Sequence, residues 1–262
     1  MSPCRHSSIV ILLVFAALRV CAAPPVSSEP NMSCPGDYSS SVDNCVATLQ
    51  YQNGFIYGGE LHHGMREGFG FLVVPHVSDR DILSNKLGDL TSDHGVDQNS
   101  AQAIPQITVT EKRQLPFYAG EFRGDKLNGH GVWWFPETGK GYSVTYIDNV
   151  LQEVTGRNCT RPVNKSLGRC VDTYRYPNGN IYYGEFDSGL RQGIGLLEIV
   201  DIGISNHTIA RVSAKGVYVG EFKDGLRNGR GMVLISGGGY YGMFKDHIYV
   251  GVVPTDTSEH NQ

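Results

Sequence analysis

Long hydrophobic runs are almost absent from this sequence of 262 residues, and only residues 9–18 are continuously apolar. That run is too short to span a bilayer as a helix, and no helical apolar period occurs after it. Positive charge is also scarce, with 22 lysines and arginines against 26 acidic residues. This balance argues against binding to a nucleic-acid backbone, which needs clustered positive charge, and it weakens attraction to anionic lipid.

The N-terminus has the three parts of a signal peptide. Arg5 and His6 precede the apolar run, and the small residues around Ala22 and Ala23 follow it. A charged start, a short apolar core and a small-residue exit predict cleavage after Ala22, so that residues 1–22 are a signal peptide and the product is secreted. A retained signal anchor is the alternative, and it is disfavoured by the short run and the two prolines that follow.

Cysteine is sparse, and four residues of this type follow the predicted cleavage site: Cys34, Cys45, Cys159 and Cys170. An even number in an exported chain indicates disulfide bonds, and four cysteines allow three pairings. The same short spacing occurs twice, which favours the local pairs Cys34–Cys45 and Cys159–Cys170. Zinc is a weaker alternative, because the sequence has no close Cys-Cys pair. No metal site or cofactor is predicted.

Four triplets fit the acceptor pattern for N-glycosylation in a eukaryotic secretory route. They begin at Asn31, Asn158, Asn164 and Asn206. All four lie in segments that are predicted to be loops, which favours the glycan interpretation over chance occurrence.

The chain is an internal duplication. The stretch that begins at Cys45 aligns without a gap to the stretch that begins at Cys170, with an offset of 125 residues. Cysteine, valine, threonine, tyrosine, an Asn-Gly pair and several glycines coincide. Self-similarity of this kind is typical of repeat architectures.

A shorter motif recurs four times inside the two units. Each copy has tyrosine, glycine two positions later, then glutamate, and a closing Gly-x-Gly. We call these recurring residues the repeat frame: Tyr57, Gly59, Glu60, Gly68, Gly70; Tyr118, Gly120, Glu121, Gly129, Gly131; Tyr182, Gly184, Glu185, Gly193, Gly195; and Tyr218, Gly220, Glu221, Gly229, Gly231. The Tyr-x-Gly-Glu-Phe stretch alternates like a strand, the polar glycine-rich middle predicts a tight turn, and an apolar strand returns.

The motif resembles the MORN repeat (membrane occupation and recognition nexus), and the resemblance covers residues 57–74, 118–135, 182–199 and 218–235. It implies an all-β fold, an elongated antiparallel sheet of stacked hairpins. Asp125 departs from the pattern at a turn position where the other copies have glycine, which predicts an altered turn there. The family's members act mostly as scaffolds, dimerising modules or membrane adaptors inside cells, and the export signal departs from that setting.

The duplication sets the predicted boundaries. A first disulfide-plus-repeat unit covers residues 23–150 and contains a polar insertion at about 75–116, predicted to project from the surface. A second unit covers residues 151–253, and a polar tail covers 254–262.

No convincing catalytic set appears in the sequence, so a non-enzymatic protein is predicted. His62 and His63 are adjacent in or beside a turn and are expected to point apart and to be exposed. The recurring glutamates are expected to accept hydrogen bonds from turn amides, and the recurring Arg66, Arg191 and Arg227 to pair locally with them. The Gly-x-Gly is not a phosphate loop, because strands flank it on both sides.

Three functions remain open. The first is a secreted scaffold that presents a sheet surface to a protein or matrix partner. The second is a phospholipid or membrane-surface adaptor, which would need a basic, apolar-rimmed face. The third is a glycan-active enzyme with paired carboxylates. The sequence does not indicate an oligomeric state.

Overall fold

The computed structural model describes residues 32–35, 43–85, 102–103, 114–160, 168–203, 213–235 and 238–252. The predicted signal peptide, the tail after residue 253, and Asn31, Asn164 and Asn206 lie outside the described residues. The described part of the chain contains no helix that is long and apolar enough to cross a membrane.

Two antiparallel sheets form the fold. The first contains β1 (Cys45–Gln50), β2 (Ile56–His62), β3 (Met65–Val73), β4 (Gln102–Ala103), β5 (Phe117–Arg123), β6 (Lys126–Phe135), β7 (Lys140–Ile147) and β8 (Val150–Gly156). The second contains β9 (Arg169–Arg175), β10 (Ile181–Asp187), β11 (Leu190–Gly203), β12 (Ser213–Lys223), β13 (Leu226–Ile235), β14 (Gly238–Lys245) and β15 (Ile248–Gly251). The strands follow chain order, except that β4 pairs with the outer edge of β1. The all-β prediction is confirmed.

Each motif copy is a hairpin with a two-residue turn: β2–β3, β5–β6, β10–β11 and β12–β13. Both turn residues have positive φ, as at Ser188 (51°) and Gly189 (82°). Gly124 (53°) and Asp125 (66°) share that geometry. The prediction of an altered turn at Asp125 is therefore wrong. Aspartate tolerates the left-handed region that glycine occupies in the other copies.

A row of glycines crosses the first sheet, since Gly59 pairs with Gly70, Gly70 with Gly120, and Gly120 with Gly131. Tyrosine rings lie over this row. A Cβ atom added to Gly70 would lie 2.7 Å from the ring of Tyr57. The equivalent row in the second sheet joins Gly184, Gly195, Gly220 and Gly231. These glycines are required because any side chain would displace a ring that fills the face of the sheet.

The two sheets pack face to face, which the sequence did not indicate. Their shared core includes Phe71 and Trp134 from the first sheet and Tyr183 and Leu196 from the second. The rings of Phe117 and Tyr183 meet edge to face at 5.3 Å between centroids. The opposite face of each sheet is filled by its own tyrosine and phenylalanine rings. Strands that are apolar on both faces account for this double packing.

The packing has an approximate two-fold symmetry. Strand β3 contacts β12, and β5 contacts β11. Because β11 is the counterpart of β3 and β12 that of β5 in the duplication, the two contacts are equivalent. The two units therefore pack on each other like the subunits of a symmetric dimer.

The described start of the insertion after β3 packs against the first sheet, and the projection of the remainder stays a prediction. Its helix α1 (Asp79–Leu83) begins with a capping box at Ser78 and buries Ile82 in the core of that sheet. Asp79 accepts hydrogen bonds from Lys140 (2.5 Å) and Tyr142 (3.0 Å). The helix packs inward because burial of the apolar Ile82 lowers the free energy of folding, while the capping box satisfies the first backbone amides.

Candidate functional site

The frame tyrosines are structural. Tyr57 is fully buried, and its hydroxyl donates to the carbonyl oxygen of Glu60 (2.7 Å). Tyr182 makes the same bond to Glu185 (2.9 Å) in the second unit. Burial raises the pKa of both hydroxyls well above the usual value of tyrosine. The rings are therefore part of the core and are not available to stack on a ligand.

The frame glutamates also stabilise the backbone. Glu60 accepts from the amide of Phe69 (2.8 Å), inside the first Gly-x-Gly. Glu185 accepts from the amide of Ile194 (2.6 Å), and the other two copies repeat the bond, from His130 to Glu121 and from Arg230 to Glu221. The carboxylates do accept from backbone amides, but these amides belong to the middle residue of each Gly-x-Gly on the returning strand, and not to the turn as expected. Each strand pair also carries a register shift beside the glutamate, as between Gly59 and Glu60.

These carboxylates face the partner sheet. Ser143 of the first sheet donates to Glu185 of the second (2.6 Å), and Arg230 of the second lies 3.8 Å from Glu121 of the first. A cleft of about 480 Å³ opens beside them, lined in part by Glu121, Glu185 and Glu221. Each carboxylate in this cleft is already bonded to a backbone amide, so its geometry is set by the fold.

The recurring arginines connect successive hairpins, and the predicted pairing with frame glutamates is wrong. Arg66 is buried and donates to the backbone carbonyl of Asp125 in the next turn. Its guanidinium lies 5.9 Å from the ring centroid of Tyr57 and 5.8 Å from that of Phe122. Arg191 and Arg227 repeat this arrangement. A planar cation fits between two rings and still reaches a carbonyl.

Both disulfide bonds are formed as the spacing predicted. Cys34 bonds to Cys45 and Cys159 to Cys170, with S–S distances of 2.08 and 2.14 Å. In each unit the preceding segment bonds to the first strand by backbone hydrogen bonds, from Cys34 to Val46 and from Cys159 to Val171. Each bond therefore closes a short extra segment onto the first strand of its unit, β1 or β9.

Asn158 is the predicted glycan acceptor that the structure describes. Its side chain is exposed, and its Nδ2 atom donates to the carbonyl oxygen of Gly139 (2.8 Å). A sugar attached to Nδ2 leaves one hydrogen for such a bond. Glycosylation there stays a prediction.

The histidine pair does not point apart as expected. The ring centroids of His62 and His63 lie 4.1 Å apart, and the Nδ1 atoms of both rings face Asp43 Oδ1. His63 has a φ of 49°, and a left-handed residue ends the alternation of a strand. No sequence signal connects Asp43 to this pair, because β1–β2 pairing brings it there.

The sheet edges differ in character. Strand β8 exposes the polar Gln152 and Glu153 together with Val150 (48%), and β4 covers part of β1. Strand β15, in contrast, exposes Ile248 (64%) and Val250 (59%). Among the described strands none pairs with the outer edge of β15, and an unpaired edge with apolar side chains and no charge favours addition of another strand. The sequence alone does not reveal this edge, because the exposure of β15 follows from its place as the last strand of the second sheet.

Comparison with known families gives one match. Residues 57–73, 118–139, 182–201 and 218–239 match the family model described as MORN repeat. No curated protein gives a significant match to the chain. Repeats of this family are commonly involved in protein or membrane binding, and the family is generally non-enzymatic.

Proposed function

Since this chain is a MORN repeat protein, we propose that it is a secreted, non-enzymatic scaffold that presents a sheet edge to a protein or extracellular-matrix partner. The observation that carries the proposal is the exposed apolar edge of β15. Repeat arrays commonly use extended surfaces for binding.

The repeat frame supports a scaffold over an enzyme. Its tyrosines are buried, its glycines make room for their rings, and its glutamates hold backbone amides. Because the frame residues have a structural role in every copy, we expect the residues that vary between copies to carry any binding role. Those lie at the turns and edges.

The edge strand β15 supports a protein partner. Its outward pattern exposes Ile248 and Val250, and Val252 follows at 47% exposure. A partner strand added there would gain main-chain hydrogen bonds and bury these side chains. An edge that is apolar and uncharged gives no reason to favour an anionic membrane surface over such a partner.

Secretion is supported by the signal-peptide pattern and by the two disulfide bonds, which persist in oxidising compartments. Intact-mass analysis of chain recovered from the culture medium tests it. We expect removal of residues 1–22, a gain of four hydrogens on reduction, and a mass loss after glycosidase treatment. An unprocessed, reduced chain that stays inside the cell would refute secretion.

The binding proposal is tested by cross-linking the secreted protein in its own medium and matrix. Ile248→Lys with Val250→Lys should abolish the cross-linked product, because charge on an edge strand blocks strand addition. Glu153→Lys, at a position of the edge strand β8 that is already charged, is the matched control and should retain it. Equal cross-linking by all three proteins would contradict the proposal, and salt-sensitive sedimentation with anionic vesicles would favour the membrane alternative.

A further inference from the structure

A cluster of ligand-type side chains lies at the first hairpin turn, outside the repeat frame. It consists of Asp43, His62 and His63, whose candidate ligand atoms all lie within 4.8 Å of one another. His62 Nδ1 contacts Asp43 Oδ1, and His63 Nδ1 lies 3.9 Å from the same oxygen. The side chains of Asp43 and His62 are about one-third exposed, at 35% and 39%, so solvent and ions reach them.

The fold holds these groups together from two directions. Cys45 pairs with Leu61 across β1 and β2, so the residues just before Cys45 reach the turn that follows His62. The amide of His63 donates to Asp43 Oδ1 (3.2 Å), which fixes the carboxylate under the turn. The Cys34–Cys45 disulfide lies beside the same segment. The ligand atoms therefore converge because of backbone geometry and not through chance rotamers.

We propose that Asp43, His62 and His63 bind a first-row divalent cation of the zinc class. Two imidazoles and one carboxylate are a ligand set that zinc takes in proteins, with water completing the coordination. Ligand atoms around a tetrahedral zinc ion lie about 3.3 Å apart when the bonds are about 2.0–2.1 Å long. Small side-chain rotations close separations of up to 4.8 Å to that value.

The donor set selects against calcium and magnesium. Those hard cations take six or more oxygen ligands, while this cluster offers one carboxylate and two nitrogens. Asn44 adds an amide oxygen 3.2 Å from His62 Nδ1, and its Nδ2 atom donates to the other oxygen of Asp43 (3.0 Å). Asn44 thus orients the carboxylate, as outer groups do in metal sites.

The duplication supplies an internal comparison. In the second unit, the residues that correspond to His62 and His63 are Asp187 and Ser188, and Gly168 corresponds to Asp43. Ser188 has a φ of 51°, close to the 49° of His63. The same turn forms without any of the three ligands, so the fold does not require the cluster.

The test is zinc titration of the full, tag-free protein by calorimetry, with calcium as a second titrant. We expect one zinc ion per chain and no calcium binding at this turn. His63→Ser and Asp43→Asn should each weaken zinc binding by about tenfold or more, since loss of even an outer-shell partner costs that much in metal sites. The exposed His130→Gln, away from the cluster, is the control and should bind like wild type.

His63→Ser installs the residue that the second unit uses in the same turn, so its dichroism spectrum and melting curve without metal should match wild type. Co²⁺ offers a direct readout, because a site with nitrogen and oxygen ligands gives visible absorption that the variant should lose. Failure of wild type to bind zinc, or equal binding by wild type and both cluster variants, would overturn the proposal. Neither result depends on the scaffold function.

Discussion

The two homologous units agree at the atomic level in the repeat frame and differ at their margins. Tyr57 and Tyr182 make the same hydroxyl bond, and Glu60 and Glu185 hold equivalent amides. The histidine pair of the first unit, however, has no counterpart in the second. Recurrence therefore marks residues that the fold needs, and non-recurrence marks the places where a binding role can reside.

Substitution of a frame glycine should destabilise the protein equally whether it is made in the first unit or in the second. A Cβ atom at Gly70 would lie 2.7 Å from Tyr57, and one at Gly195 would lie 2.4 Å from Tyr182. We expect Gly70→Val and Gly195→Val each to cost about 3 kcal/mol of unfolding free energy, because the buried ring cannot move aside. Urea denaturation of each variant measures this.

The turn residue Gly139 is the control for these variants. It also has a positive φ (61°), but a Cβ atom there would meet nothing within 4 Å. Gly139→Ala should cost only about 1 kcal/mol, from backbone strain. A similar loss of unfolding free energy in the Gly139 and Gly70 variants, or a large loss in one unit only, would show that the tyrosine rings are not the reason why glycine is required.

Removal of either disulfide tests whether the segments that precede β1 and β9 are equivalent. Both bonds join residues that are 11 apart. Cys34→Ser with Cys45→Ser, and Cys159→Ser with Cys170→Ser, should each lower the unfolding free energy by about 2–3 kcal/mol, through greater freedom of the unfolded chain. Urea denaturation under non-reducing conditions measures both losses against wild type with both bonds intact. Unequal losses would contradict the equivalence.

The bond from Arg66 to the next turn can be removed by introducing leucine, the residue that the second copy has at this position. The second copy has the buried Leu127 where the first has Arg66, and Leu127 bonds to Asn149 in the next turn. Arg66→Leu loses the side-chain hydrogen bond to the Asp125 carbonyl, the ion pair between Arg66 Nε and Asp125 Oδ1 (3.4 Å) and both ring contacts, so we expect a loss of about 2 kcal/mol. Thermal unfolding measures it. The exposed Arg123→Leu should change stability by less than about 0.5 kcal/mol, and an equal effect of both would contradict this role.

Much of the fold could be predicted because its signals are local. Tyrosine, glycine and glutamate at fixed spacing determine the hairpins, and two equal cysteine spacings indicate the disulfide pairs. The frame glutamates were also interpretable from sequence, since repetition in every copy favours a structural role. Local rules were sufficient wherever a contact lies within one hairpin.

Contacts between distant segments could not be predicted. Asp43 reaches His63 only through strand pairing, and Arg66 bonds to a turn 59 residues away. The face-to-face packing follows from apolar residues on both sides of each strand, and it could not be distinguished from a single sheet before the strand order was known. The alternation rule failed at His63 because it assumes extended backbone.

Glu60, one of the four frame glutamates that face the partner sheet, should make stability depend on pH. Desolvation raises the pKa of Glu60 to about 8, from 4.5 in an exposed glutamate, and the amide of Phe69 and the charge of Arg230 only partly oppose it. The folded chain therefore retains this proton up to about pH 8, whereas the unfolded chain releases it above about pH 4.5. The contribution of Glu60 to the free energy of unfolding is therefore fully present below about pH 4.5, and it is lost as the pH rises from about 4.5 to about 8.

Glu60→Gln keeps an oxygen for the amide of Phe69 and removes the ionisation, so it should flatten this decline. We expect the variant to gain at least about 1 kcal/mol relative to wild type between pH 5 and pH 8.5, since one pKa unit corresponds to about 1.4 kcal/mol. Urea denaturation across that range measures it. Glu137→Gln, in the exposed turn between β6 and β7, controls for the lost charge. A wild-type slope that survives in Glu60→Gln would show that the desolvated carboxyl of the first hairpin does not set the pH dependence.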